Sequence, residues 1–414
     1  MSAIQRDKTI LRELAGKYAE IAADDRNRER KERARNINSL RPARPLVWLH
    51  ELPWHEIDID GALACRCESA EAREAETSLR RTLYRWKYIQ ADMVVDPAFC
   101  IRKEFKDPGM GVNEHSMALR FDKDNEIVSR RFCDQLETEE QADRLRLPEL
   151  IAYPELDARR ADFAREMFGD ILPVRLTGHA FLNGPWDNIA VLRGVEPILY
   201  DLYDRPEHLH RIRKFYMEAG LAMMEQMERL GLLDCEPETL HMTPPYVDEL
   251  PAADYAGGPF RLKDIWFFGT AQMFSAVSPA VFDEFELRYM RPLMEKCGLV
   301  YYGCCEPLDN KIELLKTAPN LRKLGVTAWA NLRVCAEQIG PDYVMARKPN
   351  PALLGGSFDE DAVRAETAGS CEAALAYGCP CEFVLNNVST VSYRPENLIR
   401  WVDVLEETIG RYYG

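Results

Sequence analysis

Chemistry in this chain gathers most densely at Leu299 to Leu308, LVYYGCCEPL. An apolar run ends in two adjacent cysteines, a glutamate and a proline, as a buried strand does when it delivers polar groups to the mouth of an α/β fold. Side chains two apart share a strand face, so Tyr302, Cys304 and Glu306 can point one way and Cys305 the other. A thiolate converging with a carboxylate suits zinc, which accepts soft sulfur and hard oxygen ligands alike. The competing reading makes Cys304 and Cys305 small core residues, since free cysteine is among the most buried residue types.

The remaining candidates end other apolar segments. They are His179, His241, Thr270 with Gln272, Trp329 with Asn331, Lys348, and Asn386 with Asn387. His241 and Cys305 join Cys304 and Glu306 as possible zinc ligands, and His241 and Glu306 are the candidate proton-transfer groups. Trp266 and Trp329 are placed to stack on substrate, and Gln272, His179 and Asn387 to orient it. Lys348 is placed to bind a carboxylate. Trp266, Phe267, Phe268, Tyr301 and Tyr302 give the strand ends an aromatic character that suits a small aromatic or methylated molecule better than a sugar phosphate. Cys379-Pro380-Cys381 precedes a strand and so falls at the opposite end, and Cys65-Arg66-Cys67 lies in a loop.

From residue 93 the chain alternates apolar strands with amphipathic helices. The strands expected are Met93 to Val95, Pro173 to Phe181, Thr239 to Met242, Ile265 to Gly269, Leu299 to Cys304, Leu321 to Thr327, Tyr343 to Arg347 and Glu382 to Leu385. Helices are expected over Glu207 to Arg229, Ala280 to Cys297, Asp359 to Tyr377 and Pro395 to Tyr412, with Ser278-Pro279 and Asp359 as start signals. Strands interleaved with helices in this way close most economically into a (β/α)8 TIM barrel spanning 93–414. Phe105 to Ala152 reads as an insertion over the mouth. Residues 1–92 read as a mostly helical N-terminal extension packed on the barrel, with a strand at Pro45 to His50 and a helix over Ser69 to Ile89. A charge run from Asp24 to Arg35, interrupted only by Asn27 and Ala34, reads as a solvated helix face.

Composition narrows the partners. The chain has 414 residues, 46% of them hydrophobic, and a formal charge of -15 that disfavours nucleic acid and anionic membranes. It contains no apolar run of the roughly 18 residues a membrane span needs, and its first residues are too charged for a signal peptide. A cytoplasmic location is expected, with the 12 cysteines as free or metal-bound thiols. No Gly-x-Gly-x-x-Gly after a strand, no Gly-Lys-Ser/Thr phosphate loop and no Gly-x-Ser-x-Gly elbow occurs.

Four stretches together resemble the uroporphyrinogen decarboxylase superfamily: Phe181 to Ile212, Phe274 to Gly298, the Cys304 strand, and Arg394 to Val402. The likeness spans about residues 170–414 and is nearest to the branch of zinc methyltransferases that exchange methyl groups with a corrinoid protein. It implies a (β/α)8 barrel and a zinc-assisted methyltransferase. Such an enzyme would move a methyl group from a small donor, an aryl methyl ether among the options, to cobalt on a separate corrinoid protein. Cys304 falls on the family's zinc thiolate. Tyr302 stands where the family has a histidine ligand, and Asn386-Asn387-Val388 where it has a second cysteine. The runner-up is a metal-free decarboxylase or lyase in which Lys348 binds a carboxylate and His241 or Glu306 supplies the proton. A third reading is a non-catalytic binding subunit.

Overall fold

A computed structural model describes residues 2–119 and 129–414. Nine strands concern the site: β1 Leu46–Leu49, β2 Phe99–Arg102, β3 Val174–Thr177, β4 Phe181–Asn183, β5 Trp266–Gly269, β6 Leu299–Tyr302, β7 Leu321–Val326, β8 Val344–Arg347 and β9 Cys381–Leu385. Seven form one parallel sheet in the order β1-β9-β8-β7-β6-β5-β4. This is a mixed α/β architecture compatible with a barrel, but the ladder does not close among the described residues. Beyond β1 it continues through a single bridge, Trp48 to Asp92, while β2 and β3 pair separately.

Three departures from the expected strands have physical causes. The segment Pro173 to Phe181 is split at Gly178. A Cβ there would stand 2.5 Å from the carbonyl oxygens of both Leu232 and Leu233, so only glycine lets the two backbones approach. Below that crossing β3 pairs with β2, and above it β4 pairs with β5. Thr239 to Met242 is a tight turn rather than a strand: Leu240 and Thr243 exchange backbone hydrogen bonds, and His241 and Met242 adopt φ of 39° and 71°. Third, β1 lies inside the region expected to be an extension, yet all four of its residues are buried and register with β9 from Leu46–Glu382 to Leu49–Leu385. Met93 to Val95 forms no ladder, and the strand of that region is β2.

The strand period sorts the core into two layers. Phe267, Val300, Tyr302, Met345 and Phe383 point toward the helices and join the main apolar cluster. Trp266, Phe268, Leu299, Tyr301 and Ala346 alternate with them and pack on the opposite face with Cys304. That inner face also buries Lys323, whose ammonium donates to Glu382 at 2.7 Å and Thr243 at 3.2 Å.

The expected helices are present, two of them with the marked caps, and the one over Ala280 to Cys297 carries a π-helical stretch at Asp283–Leu287. Ser278 Oγ accepts from Val281 N ahead of Pro279, and Asp359 accepts from Ala362 N ahead of Glu360–Tyr377. The first residues form two helices, Ala3–Ala22 and Asp25–Asn38, the second capped by Asp24. Ser69 caps helix Ala70–Tyr88. Within Phe105 to Ala152 two small antiparallel pairs occur, Phe105–Lys106 with Ile151–Ala152 and Ser116–Leu119 with Ser129–Phe132. Residues 120–128 of that stretch lie outside the described residues. No described helix is long and apolar enough to cross a membrane.

Candidate functional site

Because the seven strands are parallel, the residues that follow them emerge on one side: His50 after β1, Thr270 and Ala271 after β5, Cys304 to Glu306 after β6, Lys348 after β8, and Asn386 with Asn387 after β9. Gly303, at φ 99°, makes the bend that carries the cysteines off β6.

A four-member chain of contacts crosses this surface. His241 Nε2 lies 3.1 Å from Cys304 Sγ, Cys304 Sγ lies 3.5 Å from Cys305 Sγ, and Asn387 Nδ2 donates to Cys305 Sγ at 3.1 Å. The His241 ring stacks on Phe268 at 3.6 Å between centroids. Burial pushes the His241 pKa down, against the opposing effect of Cys304, so the ring is neutral near pH 7. The Cys304 thiol is pushed up, first by its contact with Cys305 and then by burial. Its partner moves the other way. Hydrogen bonding from Cys304 brings half-buried Cys305 down to about 7, with help from the Lys348 charge and the Asn387 amide and against the effect of burial. Cys304 Sγ thus lies within reach of two possible acceptors, the His241 imidazole and the Cys305 sulfur.

Lys348 is buried, and its ammonium has no hydrogen-bond partner among the described residues. It lies 5.8 Å from the Tyr301 ring centroid. Burial disfavours its charge, but Tyr301, Cys304, Cys305 and Glu306 outweigh that and hold it protonated. A thiolate on Cys305 is the counter-charge this cation needs.

Glu306 is placed differently from expectation. Its carboxylate turns back into the fold, accepting from Thr270 Oγ1 at 2.9 Å, Ala271 N at 3.1 Å and Cys304 N at 2.9 Å. It clamps the end of β5 to the end of β6, and at 2% exposure it presents no free lone pair to a ligand.

These contacts test the zinc set of Cys304, Glu306, His241 and Cys305. Ligands of a tetrahedral zinc stand roughly 3.5 Å or more apart. The 3.1 Å separation of Cys304 and His241 is a direct hydrogen bond with no room for an ion between them. Among the described residues no group of three His, Cys, Asp or Glu side chains is arranged to hold a metal ion. The residues as arranged do not fit the metal.

Other expected site residues scatter. Trp266 is 1% exposed, and its indole donates to Pro245 O at 2.8 Å, so it is core and cannot stack on substrate. Trp329 is 68% exposed on the loop after β7. His179 lies apart from the thiols: its Nε2 contacts Lys103 O at 2.7 Å, its ring stands edge-on to Phe105, and it lines a 410 Å³ cavity with Phe99, Arg102 and Glu238. Gln272 Nε2 donates at 2.9 Å to Asp187 Oδ2.

Asp187 was not foreseen. Burial and the nearby Glu306 charge raise its pKa to about 6, against the hydrogen bond from Gln272. It sits in the first turn of helix Pro185–Arg193, immediately after β4, where a Cβ at Gly184 would stand 3.1 Å from Thr270 Cγ2 and 3.2 Å from Asp187 Oδ2. His50 was also missed. It is lowered by burial, borders a 630 Å³ cleft and a 160 Å³ chamber, and its charge acts on His241. The rule that found Cys304 would have found His50 had β1 been assigned to the sheet.

No described protein family and no curated protein matches the chain. Among solved structures it is similar to a methyltransferase from Methanosarcina mazei, with a TM-score of 0.50 and 12% sequence identity, over 93% of this chain and 99% of that one. At this identity the likeness is one of fold.

Proposed function

We propose that this chain is a methyltransferase that takes a methyl group from a small methylated compound at the strand-end thiol site and delivers it to a corrinoid carried by a separate protein. One observation carries the reading. An imidazole and two thiols in mutual contact, with a buried carboxyl group whose pKa burial raises, lie at the ends of parallel strands, on a scaffold like that of the Methanosarcina mazei methyltransferase. The seven-stranded sheet is read as the larger part of a (β/α)8 barrel with helices Ala3–Ala22 and Asp25–Asn38 packed on it.

Transfer of a methyl group leaves its former heteroatom with an electron pair that must be neutralised. Asp187, protonated below about 6, is the proton source for that atom, and Gln272 fixes its carboxyl group. Cys304 keeps its proton and donates it toward Cys305, which together with the Lys348 charge and the Asn387 amide favours the Cys305 thiolate. The corrinoid, when its carrier docks, supplies the cobalt that accepts the methyl group. No step is assigned to zinc, because the available donors are engaged with one another.

The test is demethylation of small methyl donors, aryl methyl ethers included, with and without a corrinoid protein. Methyl transfer is expected only with it, and to fall in Asp187→Asn. Turnover that never needs a corrinoid partner would sink the reading.

A second reading has its own observation. The unpartnered Lys348 ammonium would hold a substrate carboxylate, with His241 supplying a proton, in a metal-free decarboxylase. It predicts release of carbon dioxide without any methyl acceptor, and loss of that release in Lys348→Met.

A further inference from the structure

Two spaces that His50 borders at the strand ends are walled by helix Ala70–Tyr88. Ser78, Thr82 and Arg85 recur at helical spacing on one of its faces, and all three line both the 630 Å³ cleft and the 160 Å³ chamber. His50 and Glu238 border both as well, so the cleft leads to the chamber past Arg85. The chamber wall includes four rings, Tyr18, Trp48, Phe99 and Tyr246, between the charged groups of Asp96, Arg175, Glu236 and Glu238.

The charges around the chamber pair off with one exception. Asp96 pairs with Arg175, Glu236 with Lys31, and Glu238 with Arg102. Arg85 donates to Leu49 O at 2.9 Å and forms no ion pair among the described residues. Glu51, at the cleft, accepts from Asn387 N at 3.0 Å. The carboxylate that acts on Arg85 is that of Glu238, which is already ion-paired with Arg102, so this partly buried guanidinium has no carboxylate of its own, an unfavourable arrangement unless a ligand supplies the anion. Its planar fork matches a carboxylate in bidentate fashion.

We propose that Arg85 is the recognition residue for a carboxylate on a small aromatic substrate, whose ring occupies the chamber bordered by Trp48, Phe99 and Tyr246. The inference rests on the reading that the strand-end site transforms a small molecule, and it names that molecule's class. His50 connects the two places, since it lines the chamber and follows β1 at the same end of the sheet as the thiols.

Calorimetric titration of the full-length chain with benzoate and with benzamide tests the assignment. The two probes have nearly the same shape and differ in charge. Benzoate is expected to bind at least about tenfold more tightly than benzamide, in line with a charge-assisted hydrogen-bonded pair. Arg85→Gln should bring benzoate down to the benzamide level, and Arg85→Lys should recover part of the difference. Arg12→Gln, which removes an exposed cation paired with Asp170 that lines neither space, should change benzoate affinity less than about threefold. Thermal melting of each variant reports whether it is folded. Equal affinity for the two probes in the unmodified chain overturns the proposal without any variant. So does the absence of binding to either, or an unchanged benzoate affinity in folded Arg85→Gln. Acetate binding as tightly as benzoate would remove the aromatic part of the assignment. Because binding is read without turnover, a chain that selects benzoate but transfers no methyl group would overturn the methyltransferase reading and leave this one standing.

Discussion

The sharpest consequence of the strand-end cluster concerns the titration of Cys305. An ordinary thiol near 9.0 is about 1% thiolate at pH 7, whereas a thiol brought down to about 7 is half ionised. The gain in thiolate is therefore about 50-fold. Intrinsic nucleophilicity falls with pKa, with a slope near 0.4–0.5, so a two-unit drop costs about six- to tenfold per thiolate. The net acceleration of alkylation near pH 7 is only about five- to eightfold, and the discriminating quantity is the midpoint rather than the rate. Iodoacetamide labelling followed by peptide mass spectrometry across pH 5 to 10 measures that midpoint for Cys305 alone. It is expected near 7 in the unmodified chain. Lys348→Met removes the nearest uncompensated cation and should raise it by about one unit, as loss of a neighbouring opposite charge does. Cys304→Ala removes the S–H donor that is the main cause of the shift and should raise it at least as far. A midpoint at or above 9 in the unmodified chain would refute the picture of a thiolate favoured at Cys305.

Four further outcomes follow from the same geometry. Glu306→Gln sets an amide N–H against the Thr270, Ala271 and Cys304 donors and should destabilise the fold by about 3 kcal/mol, read as a fall in the denaturant midpoint. An unchanged midpoint would show that the carboxylate is not the clamp described. Asp187 is a carboxyl group with a raised pKa, so its acid role is present below about 6 and lost as pH rises through that value. Asp187→Asn should flatten that limb of the activity profile, and a limb that persists in the variant assigns it elsewhere. Trp266→Phe loses the bond to Pro245 O and some buried surface, lowering stability by about 1–2 kcal/mol with substrate affinity intact. A selective loss of affinity would return Trp266 to the binding surface. Finally, chelation should leave the alkylation rates of Cys304 and Cys305 unchanged, because their sulfurs contact each other, His241 and Asn387. Thiols that become reactive only after chelation would show that a metal holds them.

What the sequence made legible depended on whether the causes were local. Apolar runs of strand length, with Ser278 and Asp359 as helix caps, are local signals, and the segments they mark fold as expected. The emergence of Cys304, Cys305, Lys348 and Asn387 on one side follows from parallel order, which alternation with helices already implies. The direction of each side chain does not follow in the same way. Glu306 shares strand parity with Cys304, but parity ends at Gly303, and past that bend the carboxylate takes the backbone donors of two strand ends. Trp266 and Phe268 have the same parity as Tyr301 across the register, which puts them inside. Whether an inward ring is core or a substrate platform depends on what covers it, here Pro245 from a distant loop.

The omissions share a different cause, for both are effects of context on residues with unremarkable local patterns. Asp187 reads as an ordinary acidic residue in a helix's first turn, where the dipole stabilises its charge. Its raised pKa comes from burial and from Glu306, which lies more than a hundred positions away in the chain. Arg85 reads as one more cation on a helix rich in them, and a charged helix face is ordinarily solvated. What distinguishes it is a ledger no pattern contains: the carboxylates that border the chamber, Glu238, Asp96 and Glu236, already have partners in Arg102, Arg175 and Lys31. Charge compensation is a property of the folded surroundings, so the cation left over is found only after every pair has been placed. By that measure Arg85 and Lys348 are two cations at this end of the sheet without an ion pair among the described residues; ionisation of Cys305 supplies the counter-charge for Lys348, and only a substrate anion supplies one for Arg85.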